Sequence, residues 1–326
     1  MTKQRFSVTN NDQPNIRNDN TSTALLTLGP VMFHWPPEQW RDFYFSIADQ
    51  SEIDEVFLGE VVCSKRSAFY AEHLPTVIDR LSAAGKRVVL SSPALTTQER
   101  ERKATAEMIS ASDFPIEIND FGCFDLLGGR TCAVGPFVNV YNEGTLTWLA
   151  NRGARSVCLP CELPIADITA LAIAASQNKV DLEIQVFGRL PLAISARCYH
   201  ARIHGLHKDG CQFVCNQDPD GLLISTMDHH PFLAVNGVQT LSHAVYLLTK
   251  ELFSLIKIGV RRFRLMPHTV NMIKISRYYR DFLNHRIDIQ EAMHNILQCL
   301  SEFDTCNGYY HDRPGTIFYN TAAAET

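Results

Sequence analysis

The chain has 326 residues, 45% of them hydrophobic, and a formal net charge of -5. That supplies enough apolar material for a large core, arranged as one barrel or two smaller domains. The acidic balance excludes a general attraction to nucleic acid or to an anionic membrane surface.

No apolar run approaches the roughly 20 residues that span a bilayer, so no transmembrane segment is expected. Residues 1-22 are polar and lack the apolar stretch of a secretion signal. They read as a disordered tail on a cytoplasmic protein.

From there, short β-rich runs alternate with helical patterns. "ALLTLGP" (24-30) reads as the first strand, followed by the helix "PEQWRDFYFSIADQ". "EVFLGE" (55-60) is the second, and "FYAEHLPTVIDRLSAAGK" its helix, with Gly85 as the C-terminal stop. "RVVLSS" (87-92) is the third, with the exposed helix "TQERERKATAEMISAS" after it. "FPIEIND" (114-120) is the fourth, and "TCAVGPFVNVYN" (131-142) contains the fifth, ahead of the helix "EGTLTWLANRG". "SVCLPCEL" (156-163) is the sixth, with Pro164 placed to start the next helix. "DLEIQVFG" (181-188) is the seventh and "RRFRLMPH" (261-268) the eighth.

Eight strands alternating with helices predict an α/β fold, a (β/α)₈ TIM-like barrel formed by residues 23-326 as one domain. Several strands are near-continuously apolar, as strands covered on both faces should be. A doubly wound open sheet is the competing arrangement. There is no internal repeat and no G-x-G-x-x-G or Walker-type loop.

One connection breaks the rhythm. About seventy residues separate Gly188 from Arg261, and connections of that length inside a domain are usually functional. In a barrel it leaves from the C-terminal face, where active sites lie. Its first part, "ARCYHARIHGLHKDGCQFVCNQ", contains Cys198, Cys211 and Cys215.

The chain has ten cysteines. In a cytosolic protein, clustered cysteines favour metal or redox roles over structural disulfides. Zinc sites usually use two closely spaced pairs, and the loop offers one C-x₃-C. An iron–sulfur cluster needs thiolates, commonly four, and tolerates irregular spacing. Cys63, in "LGEVVCSKR" just past the second strand, is the candidate fourth ligand, since Lys65 and Arg66 beside it favour a thiolate. Cys158 and Cys161 form a C-x-x-C within the sixth strand, so at least one is expected to point into packing. Cys123, Cys132, Cys299 and Cys306 read as small buried hydrophobes.

Glu60, Asn142 and Glu162 stand at strand ends, where a carboxylate or amide can act in catalysis. The structural alternative is a rim hydrogen bond or, for Asn142, a helix N-cap. Arg189 and Arg197 flank the long connection and are candidates to hold a carboxylated ligand, to offset cluster charge or to remain solvated. His200, His204, His207, His229 and His230 form no H-E-x-x-H motif and read as surface residues or as residues behind the ligands. "SRYYRDFLNH" reads as an ordinary amphipathic helix.

At the cysteines the chain resembles the collagenase-like U32 peptidase family, which carries a segment like H-G-A-L-C-x-A-Y-S-G-R-C. Here "FGRLPLAISARC" (187-198) keeps Gly188, Leu190, Ala193, Ser195, Arg197 and Cys198. Phe187 stands at the family histidine and Pro191 at its first cysteine, so one expected ligand is missing. One branch of the family instead has a cysteine in G-E-x-V-C-S-K-R, as in "GEVVCSKR" (59-66) here. "LGPVMFHWP", "NVYNEGTL", "CLPCEL" and "NGVQTLS" extend the resemblance over about residues 25-310.

The resemblance implies a 4Fe-4S cluster held by Cys63, Cys198, Cys211 and Cys215. It implies a heterodimer with a UbiU-like sister chain. It also implies oxygen-independent hydroxylation of the aromatic ring of a ubiquinone precursor. That precursor would arrive through a lipid-carrier protein, with prephenate as oxygen donor. Two other readings stay open: a metal-dependent or iron–sulfur peptidase, and an electron-transfer subunit that supports a catalytic sister.

Overall fold

The structure, a computed structural model, describes residues 24-320. The polar tail expected over residues 1-22 lies outside the described residues.

Eight parallel strands close into a barrel. They are β1 (Leu25–Leu28), β2 (Glu55–Leu58), β3 (Arg87–Ser91), β4 (Ile116–Ile118), β5 (Cys132–Val134), β6 (Ala154–Cys158), the lower half of β7 (Asp181–Ile194) and, later in the chain, β11 (Arg262–Leu265). Closure is set by β11, which pairs with β7 in the register Arg262↔Glu183 and with β1 in the register Leu25↔Arg262. Every strand expected from the sequence takes part. The second expected helix is divided into Ser67–Tyr70 and Leu74–Ala83.

The helices pack outside the barrel, and local chemistry sets their ends. Gln98 and Glu101 form a reciprocal capping box on Glu99–Ala111. Asn271 caps Met272–Leu283. That helix buries Ile275, Tyr279 and Phe282, as an amphipathic helix should.

The lumen differs from the expected apolar filling. Strands such as "RFRL" and "IEI" alternate, with apolar residues toward the helices and charges inward. Arg264 reaches across to Glu183 and Glu117, at 2.6 Å each, and its guanidinium lies 4.0 Å from the centre of the Phe57 ring. β11 and β4 stand opposite in the ring, so the Arg264–Glu117 pair bridges the lumen, while Glu183 joins from the neighbouring strand β7. Ser91 donates to Glu117 at 2.6 Å, and Thr27 donates to Glu183. Arg262 pairs with Glu55 below. A buried charge is tolerable only when paired and hydrogen-bonded, as these are.

The seventy-residue connection is an inserted sheet rather than a loop. β7 runs on beyond the barrel, and its upper half pairs antiparallel with β10 (Gln239–Leu247). At the exit Gly188 has φ +109, and a Cβ there would lie 2.6 Å from Met266 Cβ, so the bend requires glycine. β10 pairs with β9 (Pro231–Asn236), and β9 with β8 (Leu222–Ser225). β12 (Thr305–Cys306) adds to β10 in parallel. The cysteine-bearing segment 195-221 lies between β7 and β8, over the C-terminal mouth.

Among the described residues, no helix is long and apolar enough to cross a membrane.

Candidate metal centre

Cys63 lies in the turn after β2, and Cys198 just after the end of β7. Cys211 and Cys215 precede β8. The structure brings all four to one cavity, whose wall also includes Lys65, Arg66, His200, Lys208, Phe213 and Gly237. The space between these side chains is small, about 20 Å³. Cys198 and Cys215 are buried, Cys63 and Cys211 half-buried, and none is in a disulfide. The 152 positions from Cys63 to Cys215 thus close onto one point.

Three devices hold the cysteines there. Glu60 Oε1 accepts from the backbone N–H of Val62 (3.0 Å) and of Cys63 (2.9 Å), which fixes the first turn. Asn236, at the end of β9, donates to Cys215 O (3.0 Å) and Asp218 O (2.9 Å) and accepts from Arg66 (2.7 Å). Trp35 Nε1 donates to Pro219 O at 2.7 Å, tying the same segment to the β1 loop. A fourth feature is strain: Gln212 and Phe213 both sit in the left-handed region, at φ 49 and φ 53. Each such residue costs on the order of 1-3 kcal/mol and persists only where its surroundings impose it.

Cations surround the thiols. Arg66 is 1% exposed, donates to Met32 O at 3.2 Å and shares the cavity wall with Cys215. Lys65 Nζ donates to Lys208 O at 2.6 Å and lies 3.8 Å from Cys211 Sγ. The Phe213 ring packs on Phe69 at 4.7 Å between centroids and shields the cavity.

Burial pushes the thiols of Cys63, Cys198 and Cys215 above the ordinary cysteine range, while the charge of Arg66 pulls each of them back. These three are therefore thiols at neutral pH, and a bound cation would have to displace their protons. The donor set suits a thiolate-bound metal: four sulfurs on one cavity with compensating positive charge.

The remaining candidates are dispersed. Asn142 accepts from Thr145 N–H at 2.8 Å as a helix N-cap. Glu162 is exposed and hydrogen-bonds Tyr141. Both Tyr141 and Glu162 line a second cavity at the barrel mouth, of about 310 Å³, together with Phe137, Asn139, Cys161 and the 191-194 stretch of β7. Cys158 and Cys161 are both buried, with thiols raised chiefly by burial, and neither reaches the four-cysteine cavity. Cys161 donates to Gln185 at 3.1 Å.

Arg189 is committed to the fold, pairing with Asp220 at 2.7 Å, whose other oxygen lies 3.0 Å from His268. Arg197 is exposed, as are His204, His207, His229 and His230. His200 is fully buried behind the cysteines.

Asn236, Gly237 and Asp218 were not singled out from spacing or residue type. The available signal was "NGVQTLS": a two-residue turn with glycine first is a tight hairpin, and it carries Asn236 on its leading strand.

A closed (β/α)₈ barrel whose seventh strand runs out into an antiparallel sheet, with four cysteines gathered over the mouth, defines the class of protein. The chain belongs to peptidase family U32, which it matches over residues 42-318.

Solved structures are more distant. An enolase from Agrobacterium radiobacter, assigned as a galactarate dehydratase and bound to sodium and L-malate, is 12% identical with a TM-score of 0.37. That match covers 50% of this chain, and the chain spans 45% of the enolase. A protein from Coccidioides immitis, assigned to the dihydrodipicolinate synthase family, is 11% identical over 85% of this chain and 77% of its own, with a TM-score of 0.38. A protein assigned as a fructose-1,6-biphosphate aldolase, also from Coccidioides immitis, is 12% identical over 87% of each chain, with a TM-score of 0.39.

Proposed function

We propose that this chain is an iron–sulfur protein with a UbiV-like role: a subunit of an oxygen-independent hydroxylase acting on the aromatic ring of a ubiquinone precursor. The observation that carries the reading is the convergence of Cys63 with Cys198, Cys211 and Cys215 on one cavity beside Arg66. In this reading those four cysteines hold a 4Fe-4S cluster, which when bound supplies one-electron transfer.

The chain's own groups have defined tasks. Arg66 and Lys65 offset the negative charge of four thiolates, and Phe213 forms an apolar part of the cavity wall. The 310 Å³ cavity at the mouth has a size and lining suited to one aromatic ring, with Phe137 as an apolar wall. Glu162 and Tyr141 stand at its edge to orient or exchange a proton with a ring substituent. Partners in this reading are a UbiU-like sister chain, a lipid carrier that presents the precursor, and prephenate as oxygen donor. The compartment is the cytoplasm.

The test is iron, sulfide and zinc content, with a visible spectrum, of protein purified without oxygen. About four iron and four sulfide per chain, both lost in Cys63→Ala, support the reading. Zinc without sulfide sinks it. The family's peptidase name is tested separately by casein digestion, where turnover by the isolated chain would overturn the hydroxylase reading.

A further inference from the structure

We propose a second metal site beside the cysteines, formed by His200, His204 and Asp218 and suited to a divalent first-row transition metal. It does not depend on the cysteines holding a cluster.

The argument starts from His200. Its side chain is fully buried, and Nδ1 lies 3.2 Å from Val235 O. A proton on Nδ1 satisfies that carbonyl and leaves Nε2 as a bare lone pair. Asp218 Oδ2 lies 3.0 Å from Nε2, yet the nitrogen has no hydrogen-bond partner. A buried lone pair beside a carboxylate, with no hydrogen bond between them, is an unfavourable pairing of two acceptors. A cation bound to both turns it into an attraction.

The third group is in place. His204 follows His200 by one helical turn, and their rings stack at 5.4 Å between centroids and 11° between planes. Ligand atoms of His200, His204 and Asp218 all lie within 4.8 Å of one another. Ligands about 2.1 Å from one metal stand roughly 3.0-3.4 Å apart in octahedral or tetrahedral geometry. The His200–Asp218 separation already meets that. His204 is exposed and free to close by side-chain rotation.

The support behind the ligands also resembles a metal site. Metal-bound histidines usually donate their other N–H to a carbonyl or carboxylate, and a proton on His200 Nδ1 would have Val235 O as its acceptor at 3.2 Å. Asn236 fixes the Asp218 backbone through its carbonyl at 2.9 Å. Two imidazoles and one carboxylate suit iron(II), zinc or cobalt, with open positions on the His204 side. His200 also lines the cysteine cavity, so the metal would stand directly behind it.

The test is an anaerobic titration of the full chain with Co²⁺, after its iron and sulfide have been measured. Cobalt on histidine and carboxylate shows only weak visible bands, whereas cobalt on cysteine adds intense thiolate charge-transfer bands in the near ultraviolet. The expected result is about one equivalent of Co²⁺ without charge transfer. Its affinity should fall at least tenfold in His204→Ala and in Asp218→Asn. Charge-transfer intensity, if cysteines are empty and also take cobalt, should be unchanged in both variants. His204 is exposed and Asn is isosteric with Asp, so both variants should fold, which a thermal melt checks.

No cobalt beyond the charge-transfer class overturns the proposal, and so does cobalt binding that both variants leave intact. Absence of iron and sulfide at the outset removes the cluster reading alone, since the cobalt count is independent of it.

Discussion

Replacing Gly237 with alanine tests how the centre is locked together. Gly237 has φ +70, and an alanine Cβ would come 2.3 Å from Arg66 Nη2. A contact to the end of a long side chain is usually relieved by a small rotation. Arg66 cannot rotate freely: it is 1% exposed, with Met32 O at 3.2 Å and Asn236 Oδ1 at 2.7 Å. The backbone cost of an L-residue at such φ is about 1-2 kcal/mol. Hydrogen bonds to a charged group are worth about 1.5-3 kcal/mol, and pushing Arg66 aside forfeits at least one. The sum is about 2.5-5 kcal/mol.

Gly205 supplies the control, with the same φ of +70 and nothing within 4 Å of its would-be Cβ. Gly205→Ala should therefore cost only the backbone term. The gain from stiffening the unfolded chain is common to both variants and cancels. Urea denaturation of each reads the difference from the midpoint and slope, and metal content reads the consequence at the cysteines. Equal stability losses for the two variants, with equal metal retention, would refute the claim that Arg66 is clamped.

Three further outcomes are expected. Burial, helped by the charge of Arg66, lowers the pKa of His34 from 6.5 to about 4. A base depressed on folding contributes its full stability above pH 6.5, and the contribution is lost as pH falls toward 4. The loss approaches about 3 kcal/mol; stability curves against pH should be flatter over that window in His34→Gln. Arg264→Met leaves Glu117 and Glu183 buried without their cation and should cost about 3-5 kcal/mol, read by chemical denaturation. Asn236→Ala removes the donor to Cys215 O and Asp218 O. It should raise amide hydrogen exchange over residues 211-221 while leaving the barrel strands protected, and equal protection in both regions would count against it.

The barrel was legible because its strands are short, bounded by turn residues and separated by helical patterns, and all eight were placed. The charged lumen was also written in the sequence, as the alternation of "RFRL" and "LEIQV". It was obscured because strands covered by helices are expected to be apolar on both faces. The inserted sheet was not legible as a sheet. Its strand β8, "LLIS", is half-exposed and unremarkable by composition, and the upper half of β7 continues a run that already reads as complete at Gly188.

At the candidate site, the cysteines stood out by residue type, and Cys63 by its basic neighbours. Their meeting depends on Asn236 and Gly237, whose roles come from pairing at a distance: Asn236 bonds Cys215 across 21 positions and Arg66 across 170. No local pattern encodes such a bond. His200 was expected at the surface or behind the ligands, and its full burial follows from packing under the β9 strand, which the sequence did not delineate.

Arg66 explains why the centre is a property of the whole fold. Its guanidinium bonds the β1 loop at Met32 and the β9 end at Asn236, and it lines the same cavity as Cys215 of the cysteine segment. The β1 loop is anchored in the core through Met32, Phe33 and Trp35, and β9 is held by its pairing with β8 and β10, so Arg66 joins two segments that the fold has already placed. Bringing them together costs loop-closure entropy that grows slowly with separation, and the barrel has already met most of it by closing β11 onto β1 and β7. What remains is local: two left-handed residues between Cys211 and Cys215, at φ 49 and φ 53. Their strain is a cost that the protein bears with or without a bound metal. A metal that binds only the assembled site offsets it by mass action. Its removal should therefore loosen segment 195-221 first, while the lumen ion pairs, which share no partner with Arg66, keep the barrel closed.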